Sequence, residues 1–392
     1  MRRVAVVAVA SLVVTIGCAR HPLATTTAPE PPVPRPAATT ARSAHVTLEF
    51  LGARVVPGGN HPAALGGSEL GGLSACATDP SGDILAVSDD RDGPSLFRLS
   101  VSLDADGLQV TPLSATVFER APEHRGAPRV LDLEGMALVG TRLLASSEGD
   151  AETGDPPALL EYTLDGRFVN VMALPPVFLP AAGQPGRGLR SNLAFEGLTR
   201  LPDERLLMAA EAPTVQDGEL PGTGRGAWGR WLEVIPGAAG GWRASRQFAY
   251  PIDPLPALPR PAVAHEETGV SEALALGPDR VLALERGFVR STDRRGFNVI
   301  RIYDVSLAGA DDVAMLPSLA GGRFRPLRKA LVTDLDLWKS RLGPDLSSLA
   351  NFEAMCPGPV LPDGSRTLLL ISDNNFSPTQ LMAFALFRLD VH

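Results

Sequence analysis

Apolar positions along the chain come in short runs that alternate with polar residues and are broken by Gly, Pro, Asp and Asn. That is the pattern of strands and tight turns rather than of helices. Residues 131–150, LDLEGMALVGTRLLASSEGD, show it most clearly: one strand carries Glu134-Gly135, a turn falls near Gly140, and a second strand ends on Glu148. A hairpin reverses direction, so Glu134 and Glu148 belong to the same edge. The same hairpin recurs. Residues 71–93 carry Ser74 and Asp89 in the two marked places, residues 194–213 Glu196 and Glu211, residues 269–287 Glu272 and Glu285, and residues 351–376 Glu353 and Asp373.

Each hairpin is followed by one or two further alternating segments, such as residues 95–103, 158–164 with 168–174, 231–235 with 242–250, 297–305 and 380–389. Four antiparallel strands repeated at intervals of roughly 60 to 80 residues predict an all-β fold, a β-propeller of four-stranded blades. Five blades are visible, or six if a divergent one lies in a long insert. The last unit is one strand short, and residues 45–57 (HVTLEFLGARVVP) supply an unassigned strand before the first unit. The expected closure has this N-terminal strand complete the last blade, which removes exposed edges. Residues 325–342 read differently: Leu331, Leu335, Trp338 and Leu342 stand at helical spacing.

Composition adds limits. The chain has 392 residues and a formal net charge of −8, with only 5% aromatic residues. The acidic balance argues against nucleic acid or an anionic membrane as an electrostatic partner. An anionic substrate would need a metal or an Arg/Lys clamp to bridge it to the protein. At the N-terminus, Arg2-Arg3 and an apolar run end at Gly17-Cys18, which reads as a signal peptide (residues 1–18) with a lipobox-like end and Cys18 as the lipidation site. Thr15 departs from the Leu usual in such a motif. Residues 19–44 are rich in Pro, Thr and Ala and read as an extended tether, leaving residues 45–392 as the folded domain. The expected location is the cell envelope, with membrane contact only through the lipid and the protein a monomer. Cys76 and Cys356 are either bridged or two buried thiols.

The repeat places Glu134, Glu196, Glu272 and Glu353 on the channel-lining strands, with Asp89, Glu148, Glu211, Glu285 and Asp373 ending their neighbours. So many oxygen donors at one channel mouth suit Ca²⁺ or Mg²⁺ better than a transition metal. Asp89, Glu134, Glu148, Glu196, Glu272, Glu353 and Asp373 are the candidate metal ligands. Glu211 and Glu285 are candidate catalytic carboxylates, with Arg286 and Lys329 as clamps for a small anionic or ester substrate. A recurring Glu has a plain architectural explanation as well, as an acceptor for backbone N–H groups of the next blade. There is no G-x-S-x-G elbow, and His265-Glu266-Glu267 lacks the second His of a zincin helix.

The segments GGLSA at Gly71, AVSDDR at Ala86, DLEGMA at Asp132, SSEG at Ser146, NLAFEGL at Asn192, ALERG at Ala283, IRIYDV at Ile300, NFEAM at Asn351 and LLLISDNNF at Leu368 occur in a fixed order. In that order the chain resembles the bacterial phytase-like family, also called esterase-like activity of phytase. Ala273 and Ala354 stand where the family's pattern has Gly after Glu. The resemblance implies hydrolysis of phosphoric or other esters, and with the recurring carboxylate pairs the expectation is a Ca²⁺-dependent hydrolase. The alternative is a non-catalytic envelope propeller that binds a ligand or protein partner, its carboxylates serving as struts or a structural Ca²⁺ site.

Overall fold

The computed structural model describes residues 36–39, 42–57, 59–60, 65–121, 126–180, 186–238, 240–256, 263–293, 296–346 and 348–392. The signal-peptide and Cys18 readings lie outside these residues. Five four-stranded antiparallel sheets make five blades. From the inner strand outward, blade one is Leu73–Thr78, Ile84–Ser88, Ser95–Asp104 and Gly107–Val117. Blade two is Leu133–Val139, Arg142–Ser147, Ala158–Thr163 and Phe168–Ala173. Blade three is Phe195–Arg200, Leu206–Ala210, Ala227–Pro236 and Trp242–Ile252. Blade four is Val263–Gly277, Arg280–Ser291, Gly296–Ser306 and Arg328–Asp334. Blade five is Phe352–Pro357, Thr367–Ser372, Met382–Val391 and, outermost, Val46–Val56.

Each inner strand packs on the next, and the fifth returns to the first, so the ring is closed. The apolar residues fall into five main clusters, one for each blade interface. Between blades two and three, for example, Ala137, Leu144 and Leu159 meet Phe195, Met208 and Leu232. Closure follows the expected route. The N-terminal strand pairs with the last one from Val46 opposite Val391 to Val56 opposite Met382. A disulfide between Cys76 and Cys356, with Cα atoms 5.6 Å apart, joins the inner strands of blades one and five across that seam. Both closures tie sequence-distant ends together, where loop-closure entropy in the unfolded chain is greatest.

Two expectations change. Residues 328–334 form a strand, not a helix: they pair with the third strand of blade four, and only Leu335–Trp338 turns, as a short 3-10 segment. An exposed sheet edge needing hydrogen bonds outweighs a helical spacing of four residues. The reading of residues 19–44 as a free tether also fails at its C-terminal end. Ser43 N donates to Leu331 O at 3.0 Å and its hydroxyl to Asp304 at 2.7 Å. Thr39 donates twice to Asp253, at 2.9 and 3.0 Å. This stretch lies along the outer edge of blade four, where backbone groups find partners despite a composition poor in large apolar residues.

Candidate functional site

The blades share one local device. In every hairpin the strand pairing skips on the inner strand, at Ser74, at Glu134-Gly135, at Glu196, at Ser271 and at Glu353. A bulge re-aims the extra residue, and here it turns one side chain per blade toward the channel mouth. A second backbone bond places its partner: Asp89 N donates to Gly72 O, Glu148 N to Asp132 O, Glu211 N to Ala194 O and Asp373 N to Asn351 O, all at 2.7–3.0 Å. In blade four the residue opposite Gly269 in the same place is Arg286. The glycine after Glu134 is a packing requirement, because a Cβ at Gly135 would stand 2.2 Å from the carbonyl oxygen of Glu196 in the next blade.

The ring therefore consists of Ser74/Asp89, Glu134/Glu148, Glu196/Glu211, Ser271/Arg286 and Glu353/Asp373. Seven of the ten places are carboxylates and one is a guanidinium. All of these except Ser74, Glu211 and Ser271 line a cavity of about 1150 Å³ that Asp132, Arg91 and Glu267 also line, with Phe288, Phe297 and Phe376 on the side of blades four and five. Arg286 is buried and reaches three acids: Glu267 at 3.1 Å, Glu353 at 3.2 Å and Glu211 at 3.5 Å. Burial disfavours its charge, but Glu353, Glu211, Glu196 and Glu267 more than offset that and hold it protonated. Arg91, more exposed, pairs with Asp132 at 2.6 Å and with Asn192 at 3.1 Å.

Compensation is otherwise thin. Burial first, then neighbouring carboxylates, pushes Glu134, Glu148 and Glu196 well above the ordinary range. Burial raises Glu211 to about 7 even with Arg286 opposing it. Asp89 and Asp373 reach about 7, through burial and then Glu353 and Asp89 respectively. Glu353 reaches about 8, again by burial and with Asp373 adding to it. Asp89 Oδ1 and Glu211 Oε2 are buried without a hydrogen-bond partner among the described residues. An all-oxygen donor set with orphaned buried oxygens fits a hard divalent cation such as Ca²⁺. Two groups have oxygens close enough to share an ion, Asp132/Glu134/Glu148 and Glu148/Glu196/Glu211.

Three sequence-assigned residues lie elsewhere. Glu272 and Glu285 sit one residue out of register with the ring, because the bulge of blade four takes Ser271 and the matching place on the next strand goes to Arg286. Glu272 is buried between blades three and four, where it accepts N–H bonds from Leu198 at 3.2 Å and from Ala273 at 2.9 Å. It is a strut. Glu285 and Lys329 meet within blade four, away from the cavity. Lys329 Nζ contacts Glu285 and lies 2.9 Å from Asp253, over the ring of Tyr303 at 3.9 Å. Tyr250 donates to Glu285 and Tyr303 to Asp253, at 2.8 and 2.9 Å. Neither residue is a clamp or a catalytic group of the ring. The other assigned residues, Asp89, Glu134, Glu148, Glu196, Glu211, Arg286, Glu353 and Asp373, come together as expected. Sequence reading missed Asp132 and Glu267. Asp132 was detectable, since it precedes Glu134 by two and strand alternation puts both on one face.

Fold and site together define a five-bladed propeller with an acidic channel mouth. The chain belongs to the Phytase-like family, described as "Esterase-like activity of phytase", whose profile matches residues 68–376. No curated protein sequence matches the chain. Among solved structures it is similar to the PQQ-bound aldose sugar dehydrogenase of Streptomyces coelicolor, at 14% identity and a TM-score of 0.33, over 89% of this chain and 100% of that one. It is also similar to a streptogramin B lyase, at 11% identity and a TM-score of 0.29, over 88% and 98% of the two chains. A mannose phosphorylase of Leishmania mexicana in complex with phosphate ion gives 11% and 0.31, over 85% and 88%. Likenesses this distant carry no functional argument.

Proposed function

We propose that this chain is an exported, Ca²⁺-dependent hydrolase of phosphoric or related esters, acting at the carboxylate ring. The observation that carries the reading is the imbalance at the channel mouth: seven ring carboxylates, six of them lining a cavity, with Arg286 the ring's one cation. Leaving so many buried acids uncompensated is costly, and a bound cation supplies both the missing charge and a Lewis acid for a phosphoryl oxygen. Asp132, Glu134, Glu148, Glu196 and Glu211 would hold it. Arg286, fixed by three acids, presents its guanidinium to the anionic part of the substrate and to charge that develops there. Burial raises Glu353 to about 8, with Asp373 adding to it, which suits it to protonate the leaving oxygen. The phenyl rings of blades four and five line the side where an organic group would lie.

The test is release of phosphate or of a chromogenic alcohol by purified protein, from aryl phosphates, phytate and carboxylic esters, with Ca²⁺ and then with chelator. Activity that chelator abolishes and Glu353→Gln lowers by about a hundredfold is expected for a lost acid catalyst. No turnover on any of these with Ca²⁺ present would sink the hydrolase. Export through the N-terminal segment and anchoring at Cys18 belong to the same reading, supported by Arg2-Arg3, the apolar run and Gly17-Cys18. Loss of labelled lipid from a Cys18→Ala protein is the expected result. A second reading, a non-catalytic propeller, draws on Glu148 and Glu272, which accept backbone N–H groups of the adjacent blade (Ala194 and Leu198). It predicts a lower melting temperature on mutating either residue and no activity to lose.

A further inference from the structure

Beyond the aromatic side of the main cavity lies a second one, of about 400 Å³, at the seam between blades five and one. Phe376, Gln380 and Leu381 line both, so the two cavities meet at these side chains. We propose that the second cavity is the subsite for a neutral apolar tail on an ester whose anionic head lies at the carboxylate ring. This names a substrate class for the site read above as a hydrolase and rests on that reading.

The two linings differ in kind. Carboxylates dominate the main cavity, and its cations, Arg91 and Arg286, are already paired with acids. The second cavity has Val55, Val56, Pro57, Leu381 and Met382 along its wall, and Glu69 is the one charged residue among those described. Such a wall gains free energy by covering hydrocarbon. Glu69 disfavours an acidic group there. A molecule that fills both cavities therefore has one small anionic head and a neutral apolar tail. A polyanion charged on every side would meet carboxylates at one end and hydrocarbon at the other.

Phe376 stands at the junction, in a backbone conformation that a Phe rarely adopts. Asn375 and Phe376 are both left-handed, with φ of 47° and 48°. Asn tolerates that region; for a bulky residue it is strained, and such strain persists only where the surroundings impose it. Here Asn375 N donates to Asp373 at 2.7 Å, Gly72 N to the Asn374 side chain at 2.9 Å and Ser377 N to Asn374 O at 2.8 Å. The phenyl group lies over two bare glycines. A Cβ at Gly71 would stand 2.9 Å from it, and one at Gly72 would collide with it and with the Asp89 carboxylate. The apolar wall thus begins directly beside an acid of the ring, and Phe376 sets where head ends and tail begins.

Alkylphosphonates test this, because they keep the anionic head and have no ester bond to cleave. Methylphosphonate, hexylphosphonate and 6-phosphonohexanoate are titrated calorimetrically into the full chain with Ca²⁺ present. Each buried methylene is worth about three- to fourfold in affinity, so hexylphosphonate should bind at least about a hundredfold tighter than methylphosphonate. The terminal acid of 6-phosphonohexanoate should remove most of that gain. Phe376→Ala should lower the hexyl-to-methyl ratio by about tenfold, and Val55→Asp, at a half-buried position of the second cavity, by more. Far-UV circular dichroism confirms that each variant is folded. Equal binding of the two alkylphosphonates, or a ratio that survives both substitutions, overturns the subsite and leaves the hydrolase standing. A lower melting temperature of Phe376→Ala with the ratio unchanged would likewise overturn it and make the phenyl group a plug of the seam. No binding of any phosphonate overturns the subsite and the anionic substrate together. The expected ratio without hydrolysis of any ester would remove the hydrolase and keep the subsite.

Discussion

Two buried charge clusters lie a few residues apart in this molecule and are built on opposite principles. In blade four, Lys329 is enclosed by Asp253, Glu285, Tyr250 and Tyr303, each polar tip engaged by another, with the Lys side chain 1% exposed. In the ring, seven carboxylates face one another around Arg286, and two of their buried oxygens have no hydrogen-bond partner among the described residues. Glu285 and Arg286 are adjacent in sequence, yet strand alternation sends one into each cluster. A satisfied buried network reads as structure; an unsatisfied one around a cavity reads as a place made for something to bind.

The largest expected effect falls on the satisfied cluster. Lys329→Met leaves Asp253 and Glu285 buried without their cation, and breaking a buried pair in this way costs about 3–5 kcal/mol. A large fall in denaturant midpoint is expected, with the Ca²⁺ response of the remaining folded protein unchanged. A variant as stable as wild type would mean that the cluster is no more structural than the ring.

The ring should reveal itself by pH. Asp89, Glu211 and Asp373 titrate at about 7 and Glu353 at about 8, above their unfolded values near 4. A carboxyl whose folded pKa is raised contributes stability that is complete below its unfolded pKa and is lost as pH rises through its folded pKa. In chelator, the melting temperature should therefore fall steadily between about pH 4 and pH 8. Excess Ca²⁺ at pH 8 should restore it. A melting temperature flat across that window would show that the ring is already compensated from within the protein.

This difference also explains what could be read from the sequence. The five hairpins, the closure by residues 45–57 and most of the ring were legible, because Leu133, Phe195 and Phe352 each precede a Glu that meets an acid across the hairpin. Blade four was misread by one residue. Matching Glu272 to the other Glu residues is natural, but the apolar anchor is Val270, equivalent to Leu73 and Leu133, and the next residue is Ser271. Anchoring on the apolar residue would have put Arg286, not Glu285, in the ring. Glu285 with Lys329 could not be inferred, since pairing of residues in strands 44 positions apart depends on how the blade is wound.

Within the ring, Glu211→Gln removes one mutually repelling charge. In chelator at pH 8 it should raise stability, or leave it unchanged, while hydrolysis falls by about a hundredfold or more if the ion it helps to hold is required. The sign is the informative part, because an acid serving only as a strut would lose stability instead. A melting temperature that falls in chelator would place Glu211 with the struts.

The smallest effect separates the two readings of a recurring Glu most cleanly. Glu272 accepts the Leu198 N–H from the neighbouring blade, and burial raises its pKa well above the ordinary range. Glu272→Gln keeps the acceptor and the shape. It should change stability by no more than about 0.5 kcal/mol and leave Ca²⁺ uptake and turnover as they were. Glu272→Ala instead leaves the Leu198 N–H without a partner and should cost about 1–3 kcal/mol. Glu196→Gln, one blade away, should do the reverse, with little loss of stability in chelator and a weakened Ca²⁺ response. If Glu272→Gln and Glu196→Gln behave alike, the division of this propeller's acids into struts and ligands fails.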